Sequence, residues 1–195
     1  MASLFDTLQA GAFRAGIQAR TDKSRNWFKK NVDALGTINR NKLLTDDALK
    51  PISNPKTGDM IMYFYDPKMK NELPYYDKFP LTILLGPTKG GFNGLNLHYL
   101  SPNVRALFLD RLMDLAPKKV TDSTRLARLR YNTIKGANKY KEFRPCVKRY
   151  LTSQVQSKFM YVFPSEWDIA LFLPTERFVG ASKSSVWADS RRKIG

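Results

Sequence analysis

The spacing of apolar residues near the start of the chain predicts two helices. Residues 5–17 form a mildly amphipathic pattern, which is more typical of a docking helix than of a membrane anchor. Residues 21–33 repeat the helical spacing, with Thr21 in the position of an N-cap. The segments NRNKLL and SNPKTGD that follow are rich in turn-forming residues, so we expect them to be connectors.

From Asp59 onward the apolar pattern changes to that of β-strands. MIMYFYD is rich in β-forming residues and stops at a proline, and FPLTILLG repeats the pattern. PTKGGFNGLNLHYL then places three glycines around a hairpin-like bend before a further alternation that runs to Tyr99. Near the end of the chain, FMYVF and WDIALFLP are again strand-type apolar runs. These segments predict a small curled antiparallel sheet.

The stretch between the two groups of strands has a helical pattern. Ser101 and Pro102 are typical of a cap and a first helical residue, and this helix is expected to end at Pro117. Residues 121–138 continue with helical spacing, and residues 150–158 are predicted to form one more helix.

The combined pattern predicts an α+β fold, with a small antiparallel barrel-like sheet, flanking helices and a basic helical insertion. An apolar content of 43% is enough for one core but not for two. We divide the chain into an N-terminal helical docking segment at 1–50, a single α+β domain at 51–178 with the insertion at 118–158, and a polar C-terminal tail at 179–195. The tail is expected to be mobile, or to become ordered only on a partner.

The charge of the chain points to a partner. Thirty-three Lys and Arg stand against 17 Asp and Glu, which gives a net charge of +16. Residues 118–158 contain twelve of the basic residues and only two acidic ones. Such an excess attracts polyanions, so nucleic acid is the expected partner and an acidic protein surface is the alternative.

The basic insertion has the composition of a phosphate-binding surface. Its cations can neutralise phosphates, while Tyr140 and Phe143 pack on sugars, on exposed terminal bases or on the core. The alternative is an ordinary solvated helix face. Base-reading modules have no counterpart here, so we expect sequence-independent binding of duplex DNA. The predicted contacts are Arg125, Arg128, Arg130, Lys135, Lys139, Lys141, Arg144, Lys148 and Arg149.

Large apolar side chains near the two ends of the chain suit docking to other subunits. The predicted partner-docking residues are Phe5, Leu8, Trp27 and Trp187. Trp187 stands in an otherwise polar stretch, which is as compatible with packing back on the domain as with anchoring a neighbour.

Residues typical of histidine-dependent catalysis are scarce. His98 is the single histidine and lies on a predicted strand, which favours a structural role over a catalytic one. A histidine-based zinc site and a catalytic triad therefore lack support. Cys146 is the single cysteine, so an internal disulfide is impossible and an intracellular location is expected. No apolar run has the length of a membrane span, and we expect no membrane partner.

Two other catalytic interpretations are weak. Asp59, Asp66, Lys68 and Glu72 could be imagined as a metal nuclease, but their spacing is generic and a strand exit explains it better. The segment 86–94 is rich in glycine but lacks GKS or GKT and the helix of a phosphate loop, so a hairpin is the better interpretation. We expect no catalytic residue, no metal, no cofactor and no small-molecule substrate.

Two blocks of the sequence carry a resemblance to known proteins: MIMYFYDPKMKNELPYYDKFPLTILLGPTKGGFNGLNLHYLSPNVRALFLDRL, and SEWDIALFLPTERF followed by KSSVWADS. Both blocks resemble a family of structural proteins from T4-like tailed phages. Within that family they are similar to DNA end protectors, which cap packaged linear DNA against host exonuclease. The resemblance implies a non-enzymatic virion protein, present in the host cytoplasm during assembly, with DNA and other phage structural subunits as partners. A neck, tail or baseplate connector with no DNA-specific role would carry the same blocks and is the alternative.

Overall fold

The computed structural model of the chain describes residues 4–18, 21–45, 49–114 and 136–195. Helices and strands are mixed along these ranges, which confirms the predicted α+β class. The helices are α1 (Leu4–Arg14), α2 (Asp22–Asp33), α3 (Arg40–Thr45), α4 (Pro102–Asp114), α5 (Phe143–Cys146), α6 (Trp167–Phe172) and α7 (Lys183–Ile194). The strands are β1 (Lys50–Ile52), β2 (Met60–Met62), β3 (Tyr76–Asp77), β4 (Leu81–Thr88), β5 (Gly91–Asn96), β6 (Val147–Leu151), β7 (Phe159–Val162) and β8 (Phe178–Val179).

The main sheet is open and antiparallel. Its strand order is β1-β7-β2-β4-β5-β6, and β3 pairs with β8 in a separate two-stranded sheet. The predicted barrel-like closure is wrong, because β1 and β6 form the two edges of the sheet. To close the sheet into a barrel, β1 and β6 would have to pair with each other, and all strands would have to tilt strongly. The strand β1 has only three residues, which offers few hydrogen bonds for such pairing. The edge strand β6 carries two of the predicted DNA contacts.

The centre of the sheet is covered on both faces. Successive residues of a strand point to opposite faces, so Met60 and Met62 enter the large core beneath the helices while Ile61 points the other way. On that second face Ile61 packs in a smaller cluster that includes Tyr63 and Phe92. Helices α1 and α2 contribute to the large core and contact α6. The first helices are therefore packed on the rest of the chain.

The N-terminal cap predicted for α2 is confirmed. Thr21 Oγ1 accepts a hydrogen bond from Ser24 N at 3.1 Å, and Ser24 Oγ accepts one from Thr21 N at 3.1 Å. This reciprocal pair satisfies two backbone donors at the start of the helix, and such a cap contributes about 1 kcal/mol.

The glycine-rich segment is a hairpin, as predicted. Thr88 pairs with Gly91, which leaves Lys89 and Gly90 as a two-residue turn with Gly90 at φ +75°. Gly91 serves a different purpose, because a Cβ there would overlap the carbonyl oxygen of Tyr150 on β6. The missing side chain lets β5 and β6 approach each other closely.

Several element predictions are wrong in local detail. NRNKLL contains α3 where a connector is predicted, and the strand expected to reach Tyr99 ends at Asn96 and passes into a 3-10 turn. Residues 150–158 are not a helix, since β6 runs to Leu151 and a 3-10 turn follows. WDIALF forms α6 and not a strand. Its apolar residues are buried almost all round, so its sequence carries no amphipathic period.

The C-terminal residues form a helix and not a mobile tail. Ser182 Oγ accepts a hydrogen bond from Ser185 N at 3.2 Å and caps α7, and Val186 is fully buried against the core. Of the predicted basic insertion at 118–158, residues 118–135 lie outside the described ranges. Along the described ranges, helices are all too short or too polar to cross a membrane.

Candidate nucleic-acid interface

The predicted phosphate contacts fall into two groups. Arg125, Arg128, Arg130 and Lys135 lie outside the described residues. Lys139, Lys141, Arg144 and Arg149 are at least partly exposed, and Lys148 is half-buried. Their positions around α5 and on β6 place them near one edge of the sheet.

The two cations of β6 point to opposite faces of the edge strand, as consecutive strand residues do. Lys148 Nζ lies 4.0 Å from the centre of the Tyr99 ring, a cation-π arrangement that covers the ammonium on one side. Arg149 is exposed, and its Nη2 donates a hydrogen bond to the carbonyl of Lys89 at 2.9 Å. The hairpin turn therefore holds this guanidinium near the first residue of β5.

Helix α7 adds cations that the sequence reasoning missed. Its last turn carries Arg191, Arg192 and Lys193, and α5 packs against the helix. Basic residues are favourable at a helix C-terminus, which explains part of this run without any ligand. The run SRRKIG was a visible signal, but the polar composition of its surroundings favoured a mobile tail.

A cavity of about 340 Å³ opens between β6, β3 and the last turn of α7. We call it the β6–α7 cavity. Aromatic and basic residues both line this cavity. They include Tyr75, Tyr76, Tyr99, Lys148, Arg149 and Lys193. These residues come from four separate segments, so only the folded chain brings them together.

Burial changes the electrostatics of the cavity. It lowers the pKa of Lys148 to about 8; Lys193 adds to the effect, while Cys146 and Asp189 oppose it. The Lys148 ammonium is therefore poorly hydrated, and an anion in the cavity would stabilise its charged form. Among the described residues, no carboxylate forms an ion pair with Lys148 or Arg149.

Asp189 fixes the α7 side of the cavity. It accepts hydrogen bonds from Lys193 Nζ at 2.8 Å and Arg192 Nη2 at 3.0 Å, and the Tyr75 hydroxyl also donates to it. The bonds from Lys193 and Tyr75 lower the pKa of Asp189 to about 2. This carboxylate offsets part of the positive charge of α7 and holds the Tyr75 ring in place.

A buried polar network lies next to the cavity and includes Asp77 of its lining. His98 Nδ1 lies 2.7 Å from Asp77 Oδ2, and His98 Nε2 lies 3.1 Å from Thr175 Oγ1. Burial acts to raise the pKa of Asp77, but the His98 ring and the backbone amides of Phe79 and Arg177 together outweigh this and hold the pKa below its ordinary value. The arrangement resembles a catalytic relay in its order of groups. All three side chains are buried, although Asp77 also belongs to the residues that line the cavity.

Of the four residues considered for a metal nuclease, the two aspartates have partners within the chain. Asp59 Oδ2 accepts a hydrogen bond from Lys56 N at 2.7 Å, and Asp66 pairs with Lys70 at 2.9 Å. Lys68 and Glu72 are exposed. The described part of the chain contains no group of three or more His, Cys, Asp or Glu that could hold a metal ion.

The predicted docking side chains contact the chain itself. Phe5 and Leu8 are buried in the large core, so they offer no exposed surface to a partner. Trp27 packs edge-on against Phe28, with ring centres 5.1 Å apart. Trp187 Nε1 donates to the carbonyl of His98 at 2.9 Å, which is the alternative of packing back on the domain.

Other side chains in this region also pack inward. The Tyr140 hydroxyl donates to the carbonyl of Arg111 at 3.3 Å, and Phe143 packs against the large core. Both rings therefore have a structural role.

Among the described residues, the most exposed large apolar side chain is Phe13 on α1, at 86% of its surface, and the sequence reasoning did not single it out.

One comparison with known proteins gives a match. A family model described as Phage T4 terminal DNA protecting protein matches residues 6–191 of the chain. The matched part contains the whole of β6 and every tyrosine of the cavity wall. Neither a curated protein nor a solved structure matches the chain.

Proposed function

The chain belongs to the phage T4 terminal DNA protecting protein family, and from this premise we propose that it binds duplex DNA and shields the ends of that DNA by occupying them. The family match carries the proposal. The basic surface around β6 and α7 supports it independently, because it supplies cations for a polyanion without any base-reading module.

The proposed contacts are made to phosphates and carry no sequence information. Lys139, Lys141, Arg144 and Arg149 lie at the surface on the side of the molecule formed by α5 and β6. We assign the same role to Arg125, Arg128, Arg130 and Lys135, which lie in the most basic part of the sequence. Lys148 has a more specific place, at the β6–α7 cavity.

Protection by occupancy needs no catalytic group. An exonuclease must reach the terminal phosphodiester, and a protein seated on the terminus excludes the enzyme by its volume alone. The buried Asp77, His98 and Thr175 network has a structural role in this account, because it joins β3 to the core. We propose that the protein acts in the virion, after assembly in the host cytoplasm, next to other phage structural subunits.

A structural connector of the phage particle is a second candidate, and one observation favours it. Phe13 exposes 86% of its surface on α1, away from its buried neighbours Phe5 and Leu8. An exposed aromatic of this kind suits an interface with another subunit. Such a connector would use the basic surface against an acidic protein.

The salt dependence of DNA binding separates the two candidates. With all nine proposed cations each neutralising one phosphate, the logarithm of affinity is expected to fall with the logarithm of salt at a slope of about −8, of which the five described cations contribute about −4.5. Replacing Lys141 and Arg144 together by glutamine should make that slope shallower by about 2, as titrations by fluorescence anisotropy would measure.

The matched control removes the same charge elsewhere. Lys23 on α2 and Lys42 on α3 are both exposed, and their double replacement by glutamine should leave the slope within error of the unmodified protein. A slope near −1 for the unmodified protein would favour the connector, since it means about one neutralised phosphate. Equal changes in both double variants would mean that net charge, and not this surface, attracts the DNA.

A further inference from the structure

We propose that the β6–α7 cavity receives the terminal nucleotide of a DNA strand, with its 5′-phosphate against Lys148 and its base on the tyrosine wall. This inference rests on the proposed function and deepens it, because it says how an end is told from the interior of a duplex. The size of the cavity, its cations and its rings each support it.

The size of the cavity selects a single nucleotide. A volume of about 340 Å³ lies at the lower end of the range for small-molecule sites. Duplex DNA is too wide to enter, since its two backbones lie on either side of a major groove of about 12 Å and the whole duplex is wider still. A base at a duplex end has one stacking neighbour fewer, so it leaves the stack more easily than an interior base. The cavity can therefore accept the terminal nucleotide of a strand, whereas the paired interior of a duplex does not fit into it.

The cations of the cavity match a phosphate monoester. A terminal 5′-phosphate has a second pKa of about 6 and so carries close to two charges at neutral pH, unlike an internal phosphodiester. Lys148 is half-buried against the Tyr99 ring, and Lys193 lines the same cavity, whereas the Arg149 guanidinium points to the other face of β6 and is bonded to the carbonyl of Lys89. Asp189 stabilises the charged form of Lys148 through space, but this carboxylate already forms ion pairs with Lys193 and Arg192.

The rings of the cavity match a base of any identity. Tyr76 on β3 is half-buried and lines the cavity, and the Tyr75 and Tyr99 rings stand 6.0 Å apart beside it. Stacking on aromatic side chains tolerates every base, because each base has a π-face. A stacked terminal base would therefore add affinity for an end without adding sequence preference.

The experiment compares three duplexes of the same length and sequence. One is blunt with 5′-phosphates, one is blunt with 5′-hydroxyls, and one is closed at both ends by covalent loops. The intact protein is expected to bind the phosphorylated duplex about 10-fold more tightly than the closed duplex, the magnitude of one stacking contact with one added charge. The 5′-hydroxyl duplex should bind with an affinity between these two, because it keeps the terminal base and lacks only the phosphate. A mixture of deoxynucleoside 5′-monophosphates should compete for that preference, whereas inorganic phosphate alone should compete less well.

Two variants locate the preference in the cavity. Lys148→Met keeps the length of the side chain but removes the charge, and Tyr76→Leu removes a ring but keeps much of its bulk. Each is expected to reduce the preference for the phosphorylated end from about 10-fold to about 2-fold or less. Lys158→Met is the matched control, because Lys158 is exposed and does not line the cavity. It should keep the full preference, and circular dichroism of each variant checks that the fold is retained.

The pH dependence provides a readout that a structural role of Lys148 would not give. With a pKa of about 8, Lys148 is mostly charged at about pH 7 and mostly neutral at about pH 9, so the preference for the phosphorylated end should fall over that range. Lys193, Asp189, Cys146 and Tyr99 face this amine, and the bonded Asp189 is ionised throughout the range. Lys148→Arg keeps its charge and should abolish the fall.

The possible results separate this proposal from the proposed function. Tight, salt-dependent binding of all three duplexes with equal affinity would overturn the terminal-nucleotide site and leave DNA binding intact. A uniform loss of affinity for all three duplexes in Lys148→Met would also overturn it, because Lys148 would then be an ordinary phosphate contact. Failure to bind any duplex would overturn both. An end preference that Lys148→Met removes and Lys158→Met keeps would support the site.

Discussion

Replacement of Arg105 by alanine is expected to lower the free energy of unfolding by about 3–5 kcal/mol. The guanidinium is fully buried and donates to the carbonyls of Leu100 at 2.6 Å and Leu171 at 3.0 Å. It also forms an ion pair with Glu176 at 3.3 Å. Without Arg105 the buried carboxylate loses its closest cation, and two carbonyls lose their donor. Urea denaturation with an unchanged slope would measure the loss.

An exposed arginine provides the control for Arg105. Arg111 pairs with Glu142 but keeps about half of its side chain in solvent, so Arg111→Ala should cost less than about 1 kcal/mol. The acid dependence gives a second check. Burial acts to raise the pKa of Glu176, but Arg105, together with His98 and Lys183, outweighs this and holds the pKa below its ordinary value of 4.5; without Arg105 the pKa should rise. The deficit of Arg105→Ala should therefore shrink as the pH falls toward 4.5 and Glu176 becomes neutral. Equal losses for the two variants at neutral pH would contradict this account.

Gly91→Ala is expected to destabilise the protein by about 3 kcal/mol or more, as overpacking against backbone allows no relief through a rotamer change. The new Cβ would lie 2.8 Å from the carbonyl carbon of Tyr150 and would overlap its oxygen. Since β6 is an edge strand, it should separate from β5 and take Lys148 and Arg149 with it. The variant should lose DNA affinity together with stability.

Gly90→Ala is the matched control for Gly91→Ala, one residue earlier in the same turn. Gly90 has a positive φ of +75°, but a Cβ at this position would meet only open space, so alanine should cost only about 1–2 kcal/mol from backbone strain. Hydrogen exchange of the β6 amides would show whether that strand opens in each variant. Equal losses in both variants, with β6 still protected in Gly91→Ala, would show that the close approach of β5 and β6 is not a constraint.

The buried polar network ties the two sides of the cavity to the core. Asp77 fixes β3 through His98 and through the backbone amide of Phe79, and Tyr76 is the neighbouring residue on the same strand. On the other side, Trp187 donates to the carbonyl of His98 and so positions α7, whose last turn carries Lys193. His98 therefore links the β3 side of the cavity to its α7 side.

The parts of this fold that depend on local spacing can be predicted from the sequence. The amphipathic helix from Pro102, the cap at Thr21 and the hairpin at Gly90 all have signals within a few residues. Helix α6 has no such signal, because neighbours from elsewhere in the chain bury it almost all round. The strand β6 has none either, since its pairing with β5 depends on Gly91, about sixty residues earlier.

The candidate site was predictable only in part. The positive charge around Lys148 and Arg149 can be seen in the sequence, as can the resemblance to DNA end protectors. The cavity cannot, because Tyr76, Lys148 and Lys193 meet only after the sheet and α7 have assembled. Burial also gives Lys148 a property that composition does not contain, a pKa of about 8.

Exonuclease challenge of linear DNA tests the capping of DNA ends most directly. Purified protein is added to linear duplexes of two lengths with the same ends, and 5′- and 3′-specific exonucleases are then supplied, with closed-circular duplex as the binding control. We expect protection to require an amount of protein that is set by the number of ends and is unchanged when the length doubles. Complete digestion at saturating protein, or a protein requirement that grows in proportion to length, would contradict end capping.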